Sequence, residues 1–108
     1  MGFLDKIFGE KEDDYASKFK KCIENDGSGS ERTDILSPWR KEYPNDANMY
    51  YATAISESKY WSSSYMQILQ FINIAKSKTP QNKRLASWYE KEANKMLKLK
   101  QVSDSGKF

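Results

Sequence analysis

Glu42-Tyr43-Pro44-Asn45-Asp46-Ala47 and, 36 positions later, Lys78-Thr79-Pro80-Gln81-Asn82-Lys83 are near-copies of one boundary. Each closes one apolar-periodic run and opens the next. Proline has no N–H and biases the residue before it away from the helical region, so a helix ends there and another can begin. Helix–turn–helix units closing on Pro at a period in the mid-thirties are the mark of stacked helical repeats. The two boundaries therefore predict an all-α chain built from antiparallel helical pairs.

Working outward from them, the spacing predicts five helices. The first runs from about Asp14 to Asn25, capped by Asp13 or Asp14, with Tyr15, Phe19, Cys22 and Ile23 on one stripe. Gly27-Ser28-Gly29-Ser30 reads as a flexible connector. The second runs from about Glu31 to Tyr43 around Ile35, Leu36 and Trp39, with Ser37-Pro38 either capping a new turn or kinking it. The third follows Asn45-Asp46 and extends to about Lys59. Ser64 and Gln67 form a capping box that opens the fourth. Its Trp61, Tyr65, Ile68, Ile72 and Ala75 follow helical spacing, and Met66, Leu69, Phe71 and Ile74 fill the remaining circumference. That distribution predicts the fourth helix as the centre of the fold. The fifth spans about Asn82 to Lys100, and residues 101–108 read as a polar tail. Residues 13–100 thus form one domain, with an irregular small helical bundle as the alternative architecture.

Residues 1–12 stand apart. Phe3, Leu4, Ile7 and Phe8 gather on one face of a short helix, suited to docking on the domain, on a second copy or at a membrane interface. Membrane contact ranks last, because Asp5, Glu10, Glu12 and Asp13 oppose anionic lipid. Gly2 does not make a myristoylation signal, since Lys6 stands where that motif has Ser or Thr.

At 108 residues and 38% hydrophobic content, of which much is aromatic, the core must be made from few, large side chains. A single Cys22 forms no internal disulfide, and no stretch approaches a membrane span, so a cytoplasmic protein is expected. Residues 1–54 hold 8 Lys/Arg against 11 Asp/Glu, whereas residues 55–108 hold 10 against 4. The second half would draw an acidic partner. The chain has no His, no Gly-rich phosphate loop and no Cys cluster. The commonest base and the usual zinc sets are missing, so neither an enzyme, a metal site nor a cofactor is expected. The Lys-rich run from Lys76 to Lys100, with Trp88 and Tyr89 interleaved, raises nucleic acid as a partner, ranked low because both aromatics suit the core better.

Residues 45–80 resemble the tetratricopeptide repeat family. Tyr50 and Ala54 match that pattern's first helix, and Ile68, Ile72, Ala75 and Pro80 its second. Thr53 and Glu57 replace an expected Leu and Tyr, and two residues are added near Lys59–Ser63. The unit over 13–44 is a degenerate copy that keeps Leu36 and Pro44 but carries Trp39 where a small residue is usual. The resemblance implies a right-handed array with the last helix as its cap. It also implies a protein-binding groove lined by Asn48, Tyr51, Ile55 and Lys59, with Arg84, Trp88, Lys91 and Lys95 as counterparts on the last helix. The expected function is a compact adaptor, bacterial in style, binding a peptide or partner helix. An immunity-type inhibitor that blocks a toxin or enzyme is the alternative, with a peripheral membrane protein third.

Overall fold

The computed structural model describes residues 14–105. The amphipathic patch of Phe3, Leu4, Ile7 and Phe8 lies outside them. Five helices follow in order: α1 (Tyr15–Glu24), α2 (Gly29–Glu42), α3 (Ala47–Ser58), α4 (Tyr65–Lys76) and α5 (Ala86–Ser105), the last preceded by a 3-10 turn at Lys83–Leu85. No strand occurs among the described residues, and the fold is all-helical.

The helix starts are written in short polar side chains. Asp14 Oδ1 accepts from the Ser17 N–H at 2.8 Å and opens α1. Ser64 and Gln67 form the reciprocal box at the start of α4, as their spacing predicts. Ser28 and Glu31 form a second such box: the Glu31 N–H donates to Ser28 Oγ at 3.2 Å and the Ser28 N–H to Glu31 Oε1 at 2.9 Å. The expected flexible connector over Gly27–Ser30 is therefore half turn and half helix. Asp26, at φ 54°, takes the left-handed position after α1, and the Gly27 N–H donates to Cys22 O at 2.7 Å, which closes that helix end. A Cβ on Gly27 would lie 2.2 Å from Cys22 Sγ, and one on Gly29 2.7 Å from the Tyr60 hydroxyl, so both glycines mark close approaches. Pro38 sits inside a continuous α2, and α5 runs on to Ser105, past the expected end at Lys100.

Contacts at the two ends fix the course of the chain. At one end Asn82 Nδ2 donates to Asp14 Oδ2 at 2.7 Å, the Tyr15 hydroxyl meets the Glu42 carboxylate, and the Ala47 N–H donates to Thr79 O at 3.1 Å. At the other, Arg32 Nε donates to Ser56 Oγ at 3.0 Å and Lys100 Nζ to Tyr60 O at 3.2 Å. Helices α1, α3 and α5 therefore run one way, α2 and α4 the other.

The centre is α3, not α4. Ala47, Ala52, Thr53, Ala54 and Ser56 are all buried, together with Met49 and Ile55. These small residues let α2, α4 and α5 approach on several sides. On α4 only Ile68, Ile72 and Ala75 are buried, and Met66 is 67% exposed. Counting apolar side chains around α4 overstated its burial, because an edge helix can be apolar all round and still have neighbours on one side only. The rest of the core is aromatic: Trp39 lies 6.1 Å from Tyr15, 6.2 Å from Phe19 and 5.9 Å from Tyr89 between ring centroids. The Tyr89 hydroxyl donates to Ala16 O, so the first and last helices touch.

The two near-copied boundaries meet in space through Asp46. Its carboxylate is 4% exposed and accepts three N–H donors: Asn48 N at 3.0 Å, Gln81 N at 3.0 Å, and Trp39 Nε1 at 2.8 Å. One side chain thus caps α3, pins the Pro80 turn and orients the central Trp.

Replacing Asp46 with Ala removes a cap worth about 1 kcal/mol and orphans two donors at about 1–3 kcal/mol each, so urea unfolding should record a loss of roughly 3–7 kcal/mol. Asp46→Asn keeps one acceptor but turns an NH2 toward a donor, and should lose about half as much. Equal stability for both variants and the parent would sink this account. A pH effect follows from Tyr89, whose hydroxyl burial pushes well above its ordinary value of 10, with Asp14 and Asp46 adding to the rise. The neutral phenol stabilises the fold fully below pH 10, and that stability is lost as pH climbs toward the raised value. Tyr89→Phe should flatten the fall in thermal midpoint above pH 10; an unchanged slope would assign the alkaline unfolding elsewhere.

Candidate functional site

Where α3 begins, α4 ends and α5 begins, the chain leaves a cleft of about 210 Å³. Its floor comes from Ala47 and Asn48 on α3 and Ala75 on α4, with Ala86 and Glu90 contributed by α5. Lys76 and Lys78 stand on its rim beside Pro80. The cleft exists because the Asp46 contacts hold the Pro80 turn against the first turn of α3. Small side chains at 47, 75 and 86 keep it open.

Asn48 is fully buried, and its two amide atoms have different fates. Nδ2 donates to Asn82 O at 2.9 Å, whereas Oδ1 has no hydrogen-bond partner. An unmet buried acceptor costs about 1–3 kcal/mol, and such atoms call for a ligand or a bound water. Tyr51, 7% exposed, lies beside it. Burial pushes its hydroxyl pKa up, and the Glu90 carboxylate adds to the rise, which keeps the phenol a neutral donor at physiological pH. Lys78 Nζ donates to Asn45 Oδ1 at 3.3 Å, and Lys76 closes the last turn of α4, where a cation complements the helix dipole. The cleft therefore offers the Glu90 carboxylate, one phenol and two ammonium groups around an alanine floor. It has no nucleophile paired with a base, and no group of three or more His, Cys, Asp or Glu among the described residues could hold a metal ion.

The eight residues expected to line one groove do not share one surface. Asn48 and Tyr51 lie in the cleft. Ile55 is fully buried in the core and offers a partner nothing. Lys59 sits at the far end of α3, near Ile23, Asp26, Gly27 and Arg32 around a separate depression of about 170 Å³. Arg84 is exposed on the 3-10 turn. Trp88 is half-buried toward α1, 4.8 Å from the Tyr89 ring centroid and under the Lys20 ammonium at 5.3 Å. Lys91 and Lys95 are exposed on α5, and Lys95 lies 3.8 Å from Glu92. Three cleft residues were not singled out from the sequence. Lys76 and Lys78 read as part of a basic run, and Glu90 belongs to no motif. The one signal for the two lysines was position, since Lys76 precedes and Lys78 opens the second boundary segment.

In comparisons with known proteins, no family model, curated protein or solved structure matches the chain. No helix among the described residues is long and apolar enough to cross a membrane.

Proposed function

We infer that the chain is a small protein-interaction module of tetratricopeptide-like build, which works by binding and not by catalysis. Its ligand is a short acidic peptide segment held in the cleft between α3 and α5. The observation that carries this reading is a cleft between three helix ends whose rim is cationic, with Lys76 and Lys78 beside Pro80. Lys76 takes an acidic side chain of the segment. Alternating helix directions and the packing of α3 on α2, α4 and α5 support the repeat-like build. The closure of α5 onto α1 through Tyr89 sets this chain apart from an open array.

A peptide library displayed on phage and selected on the full chain tests the reading. Enriched peptides should be acidic, and their affinity should fall with salt, since exposed charges are screened beyond about 10 Å at 0.1 M. Lys76→Glu combined with Lys78→Glu should weaken them at least tenfold with a thermal midpoint within a few degrees of the parent. Lys91→Glu with Lys95→Glu should weaken them far less, which separates the cleft from a general positive field. No enrichment, or equal losses in both double variants, would remove the cleft as the site.

A further inference from the structure

At the end of the fold away from the cleft, a buried cation stands without a carboxylate. Arg32, near the start of α2, is 6% exposed. Its guanidinium donates from Nε to Ser56 Oγ at 3.0 Å and from Nη1 to Gly27 O at 2.9 Å, and lies 5.3 Å from the centre of the Tyr60 ring. Both acceptors are neutral. No carboxylate among the described residues forms an ion pair with it, and the neighbouring Glu31 is engaged with Ser28 at the helix start. A buried charge is costly unless it is paired. The carbonyl ends of α1 and α3, beside Gly27 and Ser56, supply about half a negative charge each and make this burial tolerable. They take two of the five N–H donors of the guanidinium and leave three.

Arg32 lines the depression of about 170 Å³ that it shares with Ile23, Asp26, Gly27 and Lys59. Lys59, exposed at the end of α3, likewise has no ion pair among the described residues. We propose that this depression binds a phosphate monoester with a hydroxylated body, its phosphoryl oxygens held by the Arg32 fork and the Lys59 ammonium. Charge selects an anion, because two cations face the single Asp26 carboxylate. The second cation selects a dianion over a carboxylate, which the planar Arg32 fork alone would satisfy, leaving Lys59 unused. Asp26 selects the body of the ligand. Its carboxylate only accepts hydrogen bonds, so it disfavours a bare anion and favours one that carries a hydroxyl donor. Volume agrees: at about 30 Å³ per water the depression has room for roughly five, more than a phosphoryl group alone fills. The fork is also set in advance, since Ser56, Gly27 and the Tyr60 ring hold the guanidinium and little rotamer freedom remains to be lost on binding. This site is independent of the peptide cleft, which lies at the Asp46 end of α3.

Titration of the nitrogen-15-labelled full chain with glycerol phosphate, read by NMR at constant ionic strength, tests this. The Gly27 and Lys59 amides and the Arg32 Nε–H should shift together and saturate in the millimolar range or below, with inorganic phosphate weaker. Lys59→Gln, a change at an exposed side chain, should weaken the ester at least tenfold with an unchanged circular dichroism spectrum. Arg32→Lys keeps the charge and loses the fork, and should abolish saturation; if it fails to fold, Lys59→Gln still decides. Asp26 sits at φ 54°, which Asn also adopts, so Asp26→Asn should fold. It should tighten inorganic phosphate and narrow the advantage of the ester. Lys41→Gln, at the opposite end of α2, should leave binding unchanged. Sedimentation with phosphatidate vesicles, lost in Lys59→Gln, would support the same site with a lipid headgroup as the source of the monoester. No saturable shift at these three groups overturns the proposal, as do equal losses in Lys59→Gln and Lys41→Gln. Acetate bound as tightly as the ester overturns it in favour of a carboxylate.

Discussion

A single buried carboxylate holds this fold together. Burying Asp46 would be costly in isolation, and three N–H donors at the N-terminus of α3 offset that cost. The donors come from α2, from α3 and from the turn after α4, so one charge fixes the relation of three elements distant in sequence. Asn82 supports it one layer out, accepting from Asn48 and donating to Asp14, which adds α1 and α5 to the same junction. The resemblance of the two Pro segments in sequence becomes a contact between them in space: Asp46 and Thr79 bridge through their backbones.

The aromatic core follows from that junction. Asp46 takes the Trp39 indole N–H, and the ring so held is flanked by Tyr15, Phe19 and Tyr89 from α1 and α5. A chain with modest hydrophobic content builds a core this way because each aromatic removes a large area from water and its polar edge still finds a partner. Tyr89 does so on Ala16 O and Trp39 on Asp46. Small residues on α3 do the complementary task, since only a slim helix can sit among three neighbours.

Much of this was legible in the sequence, and the misses have physical causes. Helix class, helix number and most starts came from caps and apolar spacing, which are local. The box at Ser28 and Glu31 was hidden because Gly and Ser composition reads as linker even when its spacing is that of a cap. The central helix was misplaced because periodicity reports which side chains are apolar, not how many neighbours a helix has. Asn48 and Tyr51, named from a resemblance that ranks positions along one helix, both line the cleft. Lys76, Lys78 and Glu90 reach the cleft from two other elements, and only the folded junction at Asp46 brings them there. Ile55 failed for the same reason: its burial depends on how the other helices pack around α3.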